Sequence, residues 1–476
     1  MLNLALPGNP RYQPQELKGI FGYDVFAGVL VEVELATMRT LGELGIISQA
    51  ELCLLTPEIE RQLLAITTTE MDRVEREVTQ HDIRALVRLI QEIIPLSLRR
   101  WVHVPLTSYD VIDTARALQF RRAHDAVIRP KTKEVVRILC KKATEFAATV
   151  QIGRTHGQHA LPITVGFWLA TILHRVLHNA RQTDVFAAGL RGKISGAVGA
   201  YNAQVALGMS RDKNGRTFEE AVLAHLGLLP APISTQILPP EPLSYYLFSC
   251  GLLSASLGQL GTDCRQLMRT EISEICEPFA KGQVGSSTMA HKRNPINFES
   301  LVGAWEGARA ETGKVLSLLV SEHQRDLTGS SVARDLPVII VKLVCQLNTL
   351  LRPNKSGISF LERVSVDTDS CSRNLSMQGD LVLAEPLYIA LQMAGYAGDA
   401  HEFVNQHAVE VARRKRISLV EVIQNAAEKN KELSAAWQSI PKEVRDILGS
   451  PSRYIGCAVE KTKEICEAAK EYLDRD

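Results

Sequence analysis

The segment from residue 285 to 297 carries the densest group of chemically useful side chains, reading Gly-Ser-Ser-Thr-Met-Ala-His-Lys-Arg-Asn-Pro-Ile-Asn. Ser286 and Ser287 are both candidate nucleophiles or bases, and Lys292 is a compact cation suited to a carboxylate or a phosphate. Asn294 supplies an amide donor and a carbonyl acceptor. Glycines free the backbone at the entry, and an Asn-Pro pair rigidifies the exit. These features predict a loop that closes over a ligand; a polar surface loop is the alternative.

A second candidate site runs from residue 153 to 159, with the sequence Gly-Arg-Thr-His-Gly-Gln-His. His156 can act as an acid or a base because histidine titrates near neutral pH. Thr155 and Gln158 beside it would be costly to bury without partners. The spacing of His156 and His159 would suit a metal, but no third ligand of matching spacing is evident. We therefore predict acid–base chemistry without a metal or another cofactor, with a structural histidine as the alternative.

Further stretches combine hydroxyl, amide and charged groups of the kind that bind anions. Thr107 and Ser108 lie at a predicted helix start, where hydroxyls and backbone N–H groups point at an anion. Serine and aspartate are also favoured helix caps, so capping is an equally good interpretation. Arginines with hydroxyls suit a phosphate or a carboxylate, although a helix-start ion pair would look the same. The other stretches of this type are His81-Asp82, Ser234-Thr235-Gln236, and Arg325-Asp326 with Ser330, Ser331 and Arg334.

Helices must position these groups, because helical periodicity dominates the chain. Apolar residues between 133 and 150 recur at the spacing of one helix face, from Val136 to Val150. Between 253 and 267 they repeat with alternating steps of four and three, as in the seam of nearly parallel helices. No β-α-β rhythm is present. The patterns predict an all-α fold with three helical domains, at about 1–108, 109–358 and 359–476, the central one a long helix bundle.

Composition excludes several classes of protein. With 54 basic and 53 acidic residues the net charge is +1, so no basic field favours nucleic acid as a partner. No apolar run approaches the length of a membrane span, which is about 18–20 residues. Nine cysteines are scattered without a C-x-x-C pair, which argues against a disulfide framework and a zinc site. Together with the absence of a secretory signal, these features predict a cytoplasmic protein.

The candidate stretches, taken in order, resemble the motifs of the fumarase/aspartase superfamily. Residues 285–295 resemble its G-S-S-x-M-P-x-K-x-N-P loop, and the ending His-Lys-Arg-Asn-Pro is similar to that of the adenylosuccinate lyase branch. The resemblance runs from about residue 11 to 335 and rests on six ordered motifs. The other matches to that branch are Gly153 to Gln158 with G-R-T-H-G-Q, Thr107 to Thr114 with T-S-x-D-V-x-D-T, His81-Asp82 with H-D, residues 325–334 with R-D-x-x-x-S-S-x-x-R, and Arg11-Tyr12 with the pair that holds a nucleotide phosphate.

This resemblance implies a homotetramer built on the central helix bundle, with each active site shared by three subunits. It implies β-elimination of fumarate from adenylosuccinate to give AMP, and from the succinyl-carboxamide ribotide of purine synthesis. Ser286 is then the base and His156 the acid. His81, Asp82, Thr107, Ser108, Thr155, Gln236, Lys292 and Asn294 are implied to bind the succinyl portion or line the site, and Arg11, Tyr12, Arg325, Ser330 and Arg334 the nucleotide and its phosphate.

Several positions depart from the family pattern. Ala290 stands where the family usually has proline, and Tyr109 stands where it has a small residue. Pro240-Glu241 occupies the place of a common Arg-Asp pair. These changes surround the substrate rather than the proton-transfer pair, so an elimination on a different succinyl-amine or carboxylate is the alternative activity. A non-catalytic scaffold is a further alternative, which the presence of both Ser286 and His156 disfavours.

Overall fold

The computed structural model describes residues 5–6, 10–209, 211–212, 214–279, 288–289 and 291–475. Helices dominate it, and its strands form three two-stranded pairs, so the predicted all-α fold is confirmed. No helix in the described ranges is both long and apolar enough to cross a membrane. The chain divides into two compact units. The first comprises Met1–Lys133, His178–Gly258 and Ser300–Leu351, and the second Glu134–Leu177, Gln259–Glu299 and Arg352–Asp476.

Most helices lie wholly within one unit. Those of the first unit are Gln15–Phe21, Phe26–Glu43, Gln49–Leu52, Pro57–Leu64, Thr68–Val74, Asp82–Ile93, Ser108–Ala123, Asn202–Ala206, Phe218–His225, Thr328–Ala333 and Pro337–Leu351. Those of the second unit are Phe360–Arg363, Thr368–Ser376, Ala384–Met393, Ala400–Glu402, Val409–Lys415, Leu419–Ala427, Lys431–Ser439, Lys442–Leu448 and Ala458–Leu473. The unit boundaries fall inside four long helices, Arg129–Glu145, Val165–Ala188, Glu241–Leu267 and Ile296–Val315.

Short elements complete the architecture. The antiparallel strand pairs, both in the second unit, are Val150–Thr155 with Gln158–Thr164 and Ile275–Cys276 with Ser365–Val366. The parallel pair, in the first unit, is Arg191–Gly192 with Leu229–Pro230. The 3₁₀ turns are Pro10–Tyr12, Tyr23–Val25, Arg99–Trp101, Leu316–Leu318, Gly379–Leu383 and Pro451–Arg453, and the π-helical turns are Glu75–Thr79, His124–Ile128 and Phe403–Ala408.

The core of the first unit forms around the Phe26–Glu43 helix. Of its 18 residues, 13 are buried, so this helix is covered on every side rather than along one stripe. Its neighbours in the apolar cluster include the Asp82–Ile93, Ser108–Ala123 and Phe218–His225 helices. Glu34 is the charged residue among these 13, and it pairs with His103, which lies near the candidate site.

Long helices of the first unit approach closely where small and polar residues meet. A Cβ placed on Gly258 would lie 2.8 Å from the Cβ of Trp305, so a larger residue would push these helices apart. The buried Gln346 amide donates to the carbonyls of Ser254 at 3.1 Å and Leu301 at 2.8 Å. Its own oxygen accepts from the Ser254 hydroxyl at 2.7 Å. A satisfied buried amide of this kind fixes how the three helices align.

The predicted helical seam and stripe have different outcomes. Leu253, Leu257, Leu260 and Cys264 are buried on the Glu241–Leu267 helix, as its repeat predicts. The stripe predicted over residues 133–150 is too long, because its helix ends at Glu145 and a strand begins at residue 150. The β-branched pair Thr149-Val150 favours the extended backbone at that point, which an apolar period alone does not reveal.

Candidate active site

His156 lies at the tip of a tight β-hairpin in the second unit. Thr155 pairs with Gln158, so His156 and Gly157 alone form the turn. Both have positive φ, 53° and 76°, which is the signature of a type I′ turn. Left-handed backbone is uncommon for a residue with a side chain, so this turn holds the imidazole in an unusual and well-defined place. The residues of the turn are exposed, which leaves the imidazole accessible to a substrate.

The hairpin itself is shaped by a close backbone approach. Gly153 lies at an irregularity in the strand register, between Ile152 and Arg154. A Cβ at Gly153 would lie 2.8 Å from the carbonyl oxygen of Leu161, so only glycine fits there. On the same strand, Ile152 is buried against the small apolar cluster of Val382 and Leu383. The hairpin lies between the Arg129–Glu145 and Val165–Ala188 helices.

Glu274 anchors the hairpin through a buried ionic network. Its carboxylate is fully buried and accepts two hydrogen bonds from Arg154, at 2.7 and 3.0 Å. It also accepts from the Gln151 amide at 2.7 Å and from the Asn374 amide at 2.8 Å. Bidentate pairing with arginine fixes direction as well as distance. Two side chains of the strand that leads to His156 are therefore held by one carboxylate.

Replacing Glu274 with glutamine is expected to loosen this hairpin, because Arg154 would keep its charge in a largely buried position without a counter-charge. Breaking one side of a buried pair costs about 3–5 kcal/mol. Hydrogen exchange of the amides in Val150–Thr155 measures the local opening free energy, which we expect to fall by that amount. Glu271→Gln is the matched control, since Glu271 is exposed and lies 3.9 Å from Arg269. Equal protection in Glu274→Gln and the control would contradict the anchoring role.

The predicted catalytic loop is tied together at its two ends. The Glu277 carboxylate accepts from the backbone N–H of Asn297 at 2.9 Å and of Phe298 at 2.8 Å, at the start of the Ile296–Val315 helix. Burial raises the pKa of Glu277. The guanidinium of Arg293 lies over the ring of Phe279, 4.9 Å from its centroid. Described residues on the two sides of the predicted loop, Glu277 with Phe279 and Arg293 with Asn297, are therefore in contact.

Ser286, Ser287 and Ala290 lie outside the described residues, so the assignment of Ser286 as the base stays a prediction. Lys292 and Asn294 lie just before the Ile296–Val315 helix. Lys292 is exposed, and its backbone N–H donates to the carbonyl of Met289 at 3.0 Å.

In the first unit, a buried ion pair fixes the helix start that carries Thr107 and Ser108. The helix begins at Ser108 with Thr107 as its N-cap residue. The Asp110 carboxylate accepts from the backbone N–H of Thr107 at 2.8 Å and from that of Ser195 at 3.0 Å. Asp110 also pairs with Lys193, and neither side chain is exposed. The Lys193–Gly199 stretch is thus brought to the helix end and has a structural part in holding it.

Three predicted substrate-binding residues meet in the first unit, although they lie up to 94 positions apart in the chain. Arg325 donates from Nη1 to the side-chain oxygen of Gln236 at 2.9 Å and from Nη2 towards the Ser330 hydroxyl at 3.4 Å. Tyr109 completes the group: its hydroxyl and that of Ser330 are 2.6 Å apart, and its ring lies 3.5 Å from the Arg325 Cζ. The sequence prediction had not assigned Tyr109 to the site.

Two aspartates hold the segments of this cluster in place. The Asp326 carboxylate accepts from the backbone N–H of Glu322 at 3.0 Å and of Thr328 at 2.7 Å. These donors lower the pKa of Asp326 and order the turn that carries Arg325. Asp113 accepts from the backbone N–H of Leu238 at 2.9 Å, two residues after Gln236. Burial raises the pKa of Asp113, with Arg116 acting in the opposite direction.

His103 is a second side chain without an assigned role in the sequence prediction. Its Nδ1 lies 2.7 Å from the Glu34 carboxylate, which also accepts from the His103 backbone N–H at 3.0 Å. A carboxylate on one ring nitrogen orients the ring and fixes its tautomer. Histidine near Thr107 was the available sequence signal, but its partner Glu34 lies 69 positions away.

His81, Arg11, Tyr12 and Arg334 are further predicted residues of the first unit. His81 precedes the Asp82–Ile93 helix, and its Nδ1 lies 3.1 Å from Asp82. Arg11 stacks near the ring of Tyr12, which is largely exposed, and the Tyr12 carbonyl accepts from the Cys345 thiol at 3.4 Å. Arg334 is exposed and directly follows the Thr328–Ala333 helix.

The sequence of this chain is similar to those of known lyases. A profile of the family described as "Lyase" matches residues 51–306. An adenylosuccinate lyase of Archaeoglobus fulgidus is 34% identical, with 98% of this chain and 99% of the relative covered. One from Pyrococcus horikoshii is 33% identical, with 98% of each chain covered. The chain belongs to the adenylosuccinate lyase family. The predicted membership of the fumarase/aspartase superfamily is thereby confirmed, and the enzyme is a lyase.

Solved structures support the fold of this lyase. Fumarate lyase from Mesorhizobium sp. BNC1 superposes with a TM-score of 0.79 at 22% identity, covering 97% of this chain and 100% of that one. The 3-carboxy-cis,cis-muconate lactonizing enzyme from Pseudomonas putida has a TM-score of 0.79 at 24% identity, covering 97% and 98%. At these identities the likeness concerns the helical architecture alone.

The predicted site residues of the lyase are divided between its units. Thr155, His156, Lys292 and Asn294 belong to the second unit, and the other described ones to the first. Within the described ranges, no cluster of three or more histidine, cysteine or acidic side chains could hold a metal ion. The absence of a metal and of other cofactors stays a prediction.

Proposed function

We propose that this lyase cleaves adenylosuccinate to AMP and fumarate, and acts in the same way on the succinyl-carboxamide ribotide of purine synthesis. Both reactions break a carbon–nitrogen bond next to a succinyl carboxylate and release fumarate. The family membership supports this reaction. The observation that carries the substrate assignment is the meeting of Gln236, Arg325 and Ser330 in one group. A guanidinium, an amide and a hydroxyl in contact suit a phosphate or a carboxylate.

The elimination needs a base, an acid and a way to stabilise negative charge. We assign the base to Ser286, which removes the proton beside the carboxylate, and the acid to His156, which protonates the departing nitrogen. The intermediate carries its charge as an aci-carboxylate, whose oxygens require donors and cations aimed at them. Lys292, Asn294 and the helix start at Ser108 supply such groups. Serine is a weak base at its ordinary pKa, so Ser286 must act in a closed, desolvated loop.

The two parts of the substrate have adjoining binding groups in this proposal, which meet where Gln236 contacts Arg325. His81, Asp82, Thr107, Thr155 and Gln236 surround the succinyl portion. Arg11, Tyr12, Arg325, Ser330 and Arg334 hold the nucleotide and its phosphate. His103, oriented by Glu34, lies four residues before Thr107 and can donate from its second ring nitrogen.

We also propose a homotetramer with shared active sites. Large apolar side chains are exposed on long helices of the first unit, among them Val185 at 62%, Tyr245 at 54% and Leu252 at 57%. Such side chains on neighbouring helices mark a surface that another chain covers. The division of the site residues between two units is consistent with sites completed by other subunits. Its test is mutual rescue: chains inactivated at Ser286 and chains inactivated at His156 should regain activity when mixed. A cytoplasmic location is supported by nine free thiols.

Fumarate release from a panel of substrates tests the reaction. Adenylosuccinate, argininosuccinate and aspartate would be supplied separately to the purified enzyme, with fumarate measured in each. We expect turnover of adenylosuccinate to exceed that of the other two by orders of magnitude, because only adenylosuccinate carries a phosphate for the Arg325 group. Fumarate release from one of the other two substrates, with none from adenylosuccinate, would overturn the proposal. That outcome would fit the proline-rich segment at residues 239–242, in which Pro240-Glu241 replaces a common Arg-Asp pair.

A further inference from the structure

Tyr109 lies between two groups of predicted substrate-binding residues. Thr107 and Ser108 directly precede it at the start of the helix. Its side chain contacts the other group, with its hydroxyl 2.6 Å from that of Ser330 and its ring 3.5 Å from the Arg325 Cζ. One side chain therefore links the helix end to the guanidinium and the hydroxyl. The distance between the two binding groups depends on it.

The tyrosine is the rigid member of this set. It is 8% exposed and occupies the second position of the helix, next to the fully buried Asp110 that pairs with Lys193. Arg325 belongs to a turn outside any helix, and Ser330 to a helix of six residues. A free arginine side chain loses much conformational freedom when it is fixed. A ring anchored in the core reduces that loss at the moment of binding, because it holds the guanidinium in advance.

The Tyr109 ring also offsets part of the cost of burying the Arg325 guanidinium. Arg325 Nε is buried and has no hydrogen-bond partner among the described residues. An unpaired buried donor is costly, and a cation stacked on an aromatic ring recovers part of that cost. Nη1 and Nη2 meanwhile contact Gln236 and Ser330. Without the ring, the stacked orientation of Arg325 would lose its support.

The Tyr109 side chain forms part of the wall of a cavity, which would grow if a smaller residue stood at position 109. It has a volume of about 110 Å³ and a largely hydrocarbon wall. Its wall includes the apolar residues Ile237, Leu238, Pro239 and Pro240, and also the acidic residues Asp113 and Asp326. A small residue at position 109 would enlarge this space and remove the aromatic face on which the Arg325 guanidinium is stacked. The large residue at position 109 and the proline segment therefore belong to one local arrangement.

We propose that Tyr109 is a positioning residue that holds Arg325 and Ser330 for the phosphate of the substrate. It thereby sets the preference of the enzyme for a nucleotide over the corresponding nucleoside. This inference rests on the proposed function, in which Arg325 and Ser330 bind the phosphate. Tyr109 itself takes no part in proton transfer.

The test compares adenylosuccinate with succinyladenosine, the same molecule without its phosphate. The readout is the ratio of the two kcat/KM values. Tyr109→Phe keeps the ring but removes the hydroxyl, and we expect the ratio to fall about five- to tenfold, the effect of one hydrogen bond. Tyr109→Leu removes both contacts, and we expect a fall of about a hundredfold. In both variants the change should lie mainly in KM for adenylosuccinate, with kcat/KM for succinyladenosine little altered.

Tyr201→Phe is the matched control, since the Tyr201 hydroxyl donates to buried Glu219 at 2.7 Å and belongs to no predicted binding group. It should leave the ratio at the wild-type value. A general structural role of Tyr109 predicts instead that both substrates lose kcat/KM by the same factor. An unchanged ratio in Tyr109→Phe and Tyr109→Leu, with or without lower activity, overturns the inference.

A binding measurement separates this inference from the proposed function. If the wild-type enzyme releases no fumarate from adenylosuccinate, the reaction assignment fails. Calorimetry with AMP and with adenosine then still decides the role of Tyr109, because neither ligand needs to react. A preference for AMP that falls in Tyr109→Phe, and further in Tyr109→Leu, supports the positioning role. An AMP-to-adenosine affinity ratio that is the same in wild type and variants contradicts it.

Discussion

His156→Asn is expected to lower kcat for adenylosuccinate by about 10²–10⁴-fold, the usual contribution of a positioned acid or base. The substitution is well matched to the backbone. His156 and Gly157 form a type I′ turn with positive φ at both positions, and asparagine before glycine is a preferred pair for that turn. The hairpin should therefore keep its shape while the imidazole is lost. Rates are measured as fumarate release at saturating substrate.

A neighbouring histidine supplies the control for this prediction. His159 lies on the second strand of the same hairpin, opposite Arg154. Its pKa is lowered mainly by burial and, to a smaller extent, by the positive charge of Arg154. His159→Gln should retain kcat near the wild-type value if the acid is His156. Loss of activity in His159→Gln with a nearly normal rate in His156→Asn would exchange the two roles. Circular dichroism and unfolding midpoints verify that both variants fold.

Ser286→Ala is expected to lower kcat by about 10³-fold or more, because no other group would remove the proton beside the carboxylate. Binding should persist, since the side chains that we assign to substrate binding, among them the paired Arg325 and Gln236, are unchanged in this variant. Equilibrium binding of adenylosuccinate to the variant, with the dissociation constant near the wild-type KM, checks that point. We assign the base to Ser286 from its position in the family motif at residues 285–295.

Ser287→Ala decides which hydroxyl is the base. If Ser287→Ala is inactive and Ser286→Ala is nearly normal, the assignment moves by one residue. The same chains test the shared sites. A mixture of Ser286→Ala and His156→Asn chains should recover part of the wild-type activity after subunits exchange. Mixed tetramers that stay inactive would contradict active sites built from several subunits.

The sequence predicted the lyase class of this enzyme better than the local structure of its candidate site. His156 was proposed from its residue type and its neighbours, but the hairpin that presents it was not predicted. A two-residue turn with histidine in left-handed conformation has no signature in apolar periodicity. The register irregularity at Gly153 depends on a contact with Leu161 that only the folded strands create.

Long-range partners were equally hidden from the sequence. Glu274 lies 120 positions from Arg154, and Lys193 lies 83 positions from Asp110. Neither pair is marked by local spacing, because burial of both charges is decided by tertiary packing. Tyr109 was noted only as a departure from a family pattern. Its contacts with Arg325 and Ser330 turn that departure into a physical hypothesis about substrate preference.

Helix boundaries show the same limit on a smaller scale. The Glu241–Leu267 seam was predicted correctly because a long, regular repeat has one interpretation. The stripe over residues 133–150 crossed a real helix end, since apolar residues in a turn and a strand happened to continue its period. Periodicity reports which residues are buried more reliably than it reports where a helix stops.

A single NMR time course of the wild-type enzyme with adenylosuccinate tests the central claim most directly. Proton signals report fumarate, and proton and phosphorus signals together report AMP, in one sample and without a coupled assay. We predict that both products grow at the same rate and in equal amounts while adenylosuccinate disappears, and that His156→Asn and Ser286→Ala leave the substrate intact. Adenylosuccinate that remains unchanged with folded, tetrameric wild-type enzyme, or AMP that appears without fumarate, would contradict the account.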